Sequence, residues 1–554
     1  MRCVLLVLCS FLVWTPPASA QSVPAKNGMV VCVSPLAAEV GVSILKQGGN
    51  AVDASVAVAF AQAVTWPEAG NIGGGGFMLV WPGGDLEPTL IDYRETAPLS
   101  ATADMFAAKI NYTGHYVVGV PGTVRGLEMA HTKFGRLPWK DVVLPAVQLA
   151  EDGFVVNAVL AKGLNTILAD RKTKNAEFRR VYGKDAGKQP WRAGDKLVLA
   201  DLGKTLRSIA EQGATAFYTG DLANKFDNEM TLGGGLITKQ DLAAYQAKER
   251  KPLRGTYRGH DVYVAPPPSS GGTTLIAMLN ILENFDIAKH PRHSAETIHL
   301  MSEAMRRAYR DRAEFLGDAD FTKVPGHITT KDHAKKLAAT IDLTKATRSE
   351  TLAGDIPLSP ESTETTHFSV IDGQGMAVSN TYTLENSYGS RIVVRGAGYI
   401  LNNEMTDFNH RPGITDRAGG IGTKPNQVAG GKRMLSSMCP TIIVKDGKLV
   451  LITGSPGGRT IINTVLCVVV NVVDYKMDGR AAVDAPRHHQ QWFPDRISLE
   501  DSPDFDVLSS KLKAMGHTIT KSRQGDAHTI LVDPKTGQFT GVADKRLDGQ
   551  ASGY

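Results

Sequence analysis

Long hydrophobic runs are missing from the interior of this chain. After the first twenty residues nothing approaches the roughly 20 consecutive apolar residues that a membrane-spanning helix requires. Cysteine is scarce as well: the five present are at 3, 9, 32, 439 and 467, too few and too far apart for a disulfide framework or a metal cluster. There is no Cys-x-x-Cys and no His-Glu-x-x-His. The stretch "TGSPGG" is not a nucleophile elbow, because Thr453 stands where the first glycine belongs. Four consecutive glycines, Gly73–Gly76, are followed by Phe77-Met78 and not by Gly-Lys-Ser/Thr, which excludes a phosphate loop and leaves a close backbone approach. His488 and His489 are adjacent, and adjacent residues do not face a common metal. A strong excess of one charge is also absent. The formal charge is +5, and the densest basic stretch, Met305–Arg312, is interrupted by Asp311 within a helical pattern. That reads as a solvated helix face, and nucleic acid is not an expected partner.

What is present begins at the N-terminus. Arg2, the apolar run Cys3–Trp14 and the small-residue stretch Thr15–Ala20 have the layout of a secretory signal peptide covering residues 1–20, with cleavage between Ala20 and Gln21. The mature protein is then exported, periplasmic or secreted, without a stable membrane span. Cys32, Cys439 and Cys467 remain, and we read them as buried thiols, a single bridge being the alternative.

Further along, Ser34-Pro35 marks a helix start and Asn50 opens a second, "AVDASVAVAFAQAV", apolar on nearly every side and so expected between layers. Residues 130–350 are mostly helical by pattern. Thr344–Glu364 is rich in Thr, Ser and Pro, the composition of an exposed, mobile connector. Beyond it, "THFSVIDGQGMAVSNTYTL" and "TIIVKDGKLVLITG" are runs broken by Asp-Gly, a hairpin signal, and "TILVDPKTGQFTGVAD" gives a third hairpin. The fold class is α+β, sheets covered by helix layers; two sequential domains joined at the connector are the alternative.

Two options for function survive these exclusions: an exported solute-binding protein, or an enzyme whose nucleophile no local motif announces. A threonine hydroxyl needs a base within hydrogen-bond reach. Were Thr365 the first residue of a chain, its own α-amine, which ordinarily titrates at about 7.7–8.0, would supply one. A mobile connector ending just before a strand is where a cut would expose it.

The residues then match a pattern. "TTHFSVID" (Thr365–Asp372), "NTYTLENSYGS" (Asn380–Ser390), "GYILNNEMTDF" (Gly398–Phe408), "KRMLSSMCPT" (Lys432–Thr441) and "TGSPGGRTIINTV" (Thr453–Val465) occur in order. They resemble the small subunit of the γ-glutamyltranspeptidases, and "GGNAVDASVAVAFA", "GNIGGGGFM", "IDYRETAP" and "VAPPPSSGGTT" resemble the large one. The resemblance covers about Ala25 to Tyr554. It implies an N-terminal nucleophile hydrolase with a four-layer αββα sandwich, made as one chain that cuts itself between Glu364 and Thr365. The large subunit would be 21–364 and the small, catalytic subunit 365–554, two partners interleaved in one globular unit.

Carried over by position, the resemblance implies Thr365 as nucleophile and Thr383 as the threonine assisting it. Arg94 would hold the donor's α-carboxylate, where a planar fork fits better than lysine, with Ser436 and Ser437 on the same carboxylate. Asp407, Glu404 and Glu385 would surround the α-ammonium. Gly457 and Gly458 would form the oxyanion hole. Substrates would be glutathione and other γ-glutamyl compounds, with water, amino acids or dipeptides as acceptors, and neither cofactor nor metal is called for. Some relatives have asparagine at the position of Glu385 and glutamine at that of Glu404, and three clustered acids repel one another. The Pro412–Gly431 loop corresponds to the lid over the donor pocket but contains no aromatic residue, which favours hydrolysis. The rivals are a glutaryl- or cephalosporin-type acylase, which needs no ammonium pocket, and a non-catalytic exported binding protein.

Overall fold

The computed structural model describes residues 22–84, 86–107, 110–353, 365–547 and 549–554. The expected signal peptide, its cleavage point and Glu364 lie outside the described residues.

Two seven-stranded sheets lie face to face. The first runs in the order Gln550–Gly553, Gly28–Cys32, Thr366–Asp372, Ala377–Thr383, Gly75–Trp81, Thr89–Asp92 and Lys248–Arg250. The second runs Ser22–Ala25, Phe539–Val542, Thr529–Val532, Lys448–Thr453, Thr441–Lys445, His260–Val264 and Leu253–Tyr257. Every neighbouring pair is antiparallel. The three expected hairpins pair as the Asp-Gly and turn signals suggest, Thr366–Asp372 with Ala377–Thr383 among them.

Alternation with period two explains the layers. Along the Gly28–Cys32 strand, Val30 and Cys32 enter the core beneath one helix layer, whereas Met29 and Val31 face the other sheet. Met78 and Val80 divide from Phe77 and Leu79 in the same way. Helices Pro35–Lys46 and Ala51–Thr65 cover the first sheet. Ser270–Leu282 lies on the second, with Ala295–Phe315 and Thr460–Val473 packed against it. The arrangement is the αββα sandwich.

Local sequence accounts for the helix that looked apolar all round. Asn50 caps it, accepting from the amides of Val52 and Asp53 while the Asp53 carboxylate accepts from Asn50 N. All fifteen residues of Ala51–Thr65 are buried, and six of them are alanine, which permits the close approach. The three thiols Cys32, Cys439 and Cys467 are buried and unbridged, and burial pushes Cys32 and Cys439 up to about 12.

Two sequence expectations change. Strand Thr366–Asp372 pairs with Gly28–Cys32, and Ala377–Thr383 pairs with Gly75–Trp81, so the two halves share one sheet and are not sequential domains. The connector is also not mobile throughout, because its first ten residues, Thr344–Ala353, are anchored. Ser349 is fully buried: its Oγ donates to the Trp492 carbonyl (2.5 Å), its N–H donates to Asp495 Oδ2 (2.8 Å), and its carbonyl accepts from Trp492 Nε1 (2.9 Å). Arg306 bonds both Ser349 and Asp495, and Ala346 N–H donates to the Met515 carbonyl (2.7 Å). Polar composition misled here because Thr347 and Ser349 find their partners far away in sequence, at Glu303, Arg307, Trp492 and Asp495.

Candidate active site

The register of the central hairpin builds the site. Thr366 is opposite Tyr382, and Thr365, immediately before this strand, lines one pocket with Thr383 at the end of its partner strand. The Thr383 hydroxyl accepts the Glu385 N–H (2.8 Å). Glu385 has φ of 79°, in the left-handed region that an L side chain rarely adopts, so the chain carries strain at this point. The glycine run supplies the close approach. A side chain on Gly74 would meet the Thr383 carbonyl at 2.0 Å, and Asn71 donates to that carbonyl from its own side chain (2.8 Å).

A pocket of about 330 Å³ is lined by Arg94, Thr365, Thr383, Glu385, Glu404, Asp407, Ser436, Ser437 and Gly458, with Arg459 at its edge. These residues come from six stretches of the chain, spread from Arg94 to Arg459. Gly457 precedes Gly458 in the turn that starts helix Thr460–Val473. Both have positive φ, 124° and 55°, and a side chain on Gly457 would strike Thr460 Oγ1 at 2.4 Å. The turn leaves backbone amides at a helix N-terminus, where developing negative charge is favoured. Thr365 is 9% exposed, so a reacting bond here is largely removed from solvent.

The electrostatics are crowded. Arg94 is buried, and its Nη2 donates to Asp407. Nη1 lies 2.6 Å from Glu404 Oε2 and 3.4 Å from Glu95 Oε2. The Glu404 contact lacks hydrogen-bond direction, so both of its oxygens remain without a partner that satisfies them. One guanidinium faces several carboxyls, and burial decides their state. It holds Glu404 and Glu385 well above the usual carboxylate range and Glu95 at about 8, the attraction of Arg94 notwithstanding. Asn403 Nδ2 donates to Glu385 Oε2 (2.6 Å). Ser436 Oγ accepts from Met438 N–H (3.1 Å), and Ser437 Oγ accepts from Arg312 Nη2 (2.9 Å), so both hydroxyl protons can be offered to a carboxylate.

On strand Thr366–Asp372, between the sheets, His367 Nδ1 meets Thr381 Oγ1 (2.8 Å) and Nε2 meets Ser369 Oγ (3.1 Å). Burial holds this imidazole well below its ordinary pKa, so it is a neutral wedge. His488 and His489 are buried apart from the pocket, and His489 bonds Asn463 and Gln491. Among the described residues, His299, Glu303 and His517 come within ligand range of one another. However, His299 Nδ1 and His517 Nε2 share a hydrogen bond of 2.8 Å, and the Glu303 carboxylate is taken by Arg306 and Arg307.

Sequence reasoning missed Glu95, Asn71, Asn403 and Arg312. Glu95 sits beside Arg94 in a matched block, and Asn403 beside Glu404, so adjacency was a usable signal. Arg312 had none, since it lies in the basic helical stretch that reads as solvated and is in fact 3% exposed.

A stacked antiparallel αββα sandwich with a threonine at the head of a central strand, sharing one pocket with a second threonine and a glycine turn, is the architecture of an N-terminal nucleophile hydrolase. The gamma-glutamyltranspeptidase family model matches residues 37–554, and the chain belongs to that family. It is 47% identical to a glutathione hydrolase proenzyme of Escherichia coli (strain K12), over 96% of this chain and 93% of the relative. It is also 40% identical to one of Pseudomonas aeruginosa, over 94% and 93%. Among solved structures, a cephalosporin acylase from Bacillus halodurans superimposes with TM-score 0.85 at 28% identity, over 99% of both chains. A Helicobacter pylori gamma-glutamyltranspeptidase gives TM-score 0.56 at 40% identity, over 59% of this chain and 96% of that one.

Proposed function

We propose that this chain is the precursor of a γ-glutamyl transferase and hydrolase, activated by its own scission between Glu364 and Thr365 into a large piece, 21–364, and a small catalytic piece, 365–554. The observation that carries the reading is the convergence of Thr365, Thr383, the Gly458 turn, Arg94 and the acid cluster on one pocket.

Scission frees the α-amine of Thr365. It takes the proton from Thr365 Oγ as the oxygen attacks the γ-carbonyl of a donor such as glutathione. Thr383, which lines the same pocket, assists Thr365 and holds it in line. The oxyanion rests on the amides of Gly457 and Gly458. Collapse expels the leaving amine, protonated from the threonine amine, and leaves a γ-glutamyl ester on Thr365. Water or the amine of an amino acid or dipeptide then attacks the ester. The donor's head group is a zwitterion. Its carboxylate takes Arg94, Ser436 and Ser437, which displaces Asp407, and Asp407 then turns with Glu404 and Glu385 to the ammonium. The acid cluster favours this donor over the glutaryl group of an acylase substrate, which has no ammonium to offer.

Export to the periplasm or the medium follows from the signal-peptide layout of residues 1–20. Among the described residues no helix is long and apolar enough to cross a membrane. A denaturing gel with N-terminal sequencing tests the scission: two bands are expected, the smaller beginning Thr-Thr-His-Phe, and the same sample should release the amine from a γ-glutamyl anilide. One intact band with full activity would refute the mechanism, and one intact band without activity would favour the binding-protein alternative.

A further inference from the structure

One buried hydroxyl holds the glycine turn that leads into helix Thr460–Val473. Ser455 is fully buried, and its Oγ accepts the Asp526 N–H (3.0 Å) and donates to the Pro456 carbonyl (2.7 Å). That carbonyl belongs to the same peptide unit as the N–H of Gly457. Across a planar trans unit the two groups point in opposite directions. The bond from Ser455 therefore turns the Gly457 N–H away from the Ser455 side chain. The carbonyls of Gly457 and Gly458 accept from the N–H groups of Thr460 and Ile461 (both 3.1 Å). Among the described residues the N–H groups of Gly457 and Gly458 have no such partner.

The donor that fixes Ser455 is itself clamped. Gly525, with φ of 56°, brings bare backbone against the turn, and a side chain there would meet Ser455 Oγ at 2.5 Å. On either side of Gly525-Asp526, Gln524 N–H donates to Glu500 Oε1 (2.8 Å) and Ala527 N–H donates to Asp544 Oδ2 (2.7 Å). Arg487 Nη1 donates to the Gln524 carbonyl (2.9 Å), and its Nη2 pairs with Asp544 (2.6 Å). Arg546 pairs with both Glu500 and Asp544. Arg487 and Asp544 are fully buried. A buried ion pair adds little net stability, because desolvation offsets the attraction, and its better-attested use is to fix one arrangement among several. What this network fixes is the backbone of Gln524–Ala527, and with it the N–H that reaches Ser455.

We propose that Ser455 is a positioning residue for the oxyanion hole, holding the Pro456–Gly457 peptide unit in the orientation that offers the Gly457 N–H to the reacting carbonyl oxygen. The inference rests on the γ-glutamyl reading above, which sets the oxyanion on the amides of Gly457 and Gly458. Turned over, the same unit would present the Pro456 carbonyl oxygen to the developing negative charge, and attraction would become repulsion. Glycine at 457 leaves both orientations sterically open, so a hydrogen bond has to choose between them. The ion network then acts at one remove. Arg487 and Asp544 set the Asp526 amide, that amide sets Ser455, and Ser455 sets the donor.

The test uses the processed enzyme with γ-glutamyl p-nitroanilide as donor, water as acceptor, and two inhibitors that share the head group. One is L-glutamate. The other is its analogue with a boronic acid in place of the γ-carboxyl, which becomes tetrahedral when Thr365 Oγ adds to boron. Ser455→Ala should lower kcat per cleaved molecule about ten- to a hundredfold and weaken the boronate by a similar factor. Donor KM and the inhibition constant of glutamate should stay within about twofold, since neither ligand carries the developing charge. Ser455→Thr, which keeps the hydroxyl, should recover most of the lost kcat. Gly525→Ala, whose methyl must displace Ser455 Oγ, should show the same split and serves if the first variant does not accumulate as cleaved protein. A kcat within about twofold of native in both variants, or a loss shared equally by glutamate and the boronate, overturns the proposal. Failure of the processed native protein to release nitroaniline would overturn the γ-glutamyl reading itself, and this one with it.

Discussion

Binding of the γ-glutamyl head group should expel a proton, and the acid cluster around Arg94 sets how much. At pH 6.5 Glu95, held near 8, is protonated in the empty site, and burial pushes Glu385 and Glu404 in the same direction. An α-ammonium about 4 Å from a carboxylate, at an effective dielectric near 20, is worth about 4 kcal/mol. That equals about three pKa units, enough to ionise one of these acids at neutral pH. One proton should therefore leave for each ligand bound, and the affinity for L-glutamate, the product of hydrolysis, should rise about tenfold from pH 6 to pH 7. Titration calorimetry at pH 6.5 in two buffers of different ionisation enthalpy reads the proton directly. Glu404→Gln, which keeps the shape and removes one proton source, should reduce the release and flatten the pH dependence. Stability carries the opposite sign. A carboxyl that is neutral in the fold and ionised when unfolded contributes most below the ordinary carboxylate pKa and loses that contribution as pH rises towards its raised value. Melting temperature should therefore fall between pH 5 and 8, and less so in Glu404→Gln. Fewer than about 0.3 protons released, with affinity constant over that unit of pH, would refute the argument that burial outweighs Arg94.

Three more outcomes are expected. Thr365→Ala should yield a single uncut chain with activity reduced by more than about 10⁴-fold, read by gel and anilide assay, since it removes the nucleophile outright. Gly457→Ala puts a methyl at 2.4 Å from Thr460 Oγ1 on a backbone with φ of 124° and should lower kcat about 10²- to 10³-fold with little change in KM, as loss of an oxyanion donor does. Asp495→Ala removes the partner of Ser349 N–H and Arg306, and should lower the unfolding free energy by about 1–3 kcal/mol in urea while leaving the anilide KM unchanged.

The parts of this fold legible in sequence were those whose signals are local. Asn50 and Ser34 announced their helices, Asp-Gly pairs announced hairpins, and Gly73–Gly76 announced a close approach. Thr365 became a nucleophile candidate through chemistry and resemblance together, because its meaning depends on a chain end that the uncut sequence does not contain. What stayed hidden was pairing over distance. Nothing near Arg94 says that Asp407, 313 residues away, is bonded to it. Nothing in a Ser/Thr-rich connector shows that Trp492 and Asp495 will fix Ser349. Arg312 was misread for the same reason: a basic residue on a helix looks solvated until the layer that covers it is known.

Strand Thr366–Asp372 lies in the interior of its sheet, zipped on one side to Gly28–Cys32 and on the other to Ala377–Thr383. A cut at its head therefore creates two molecules on paper and one in thermodynamic behaviour. Dilution has nothing to separate, since parting the pieces means unravelling the middle of a sheet, and the cleaved protein should melt in one transition at a temperature independent of its concentration.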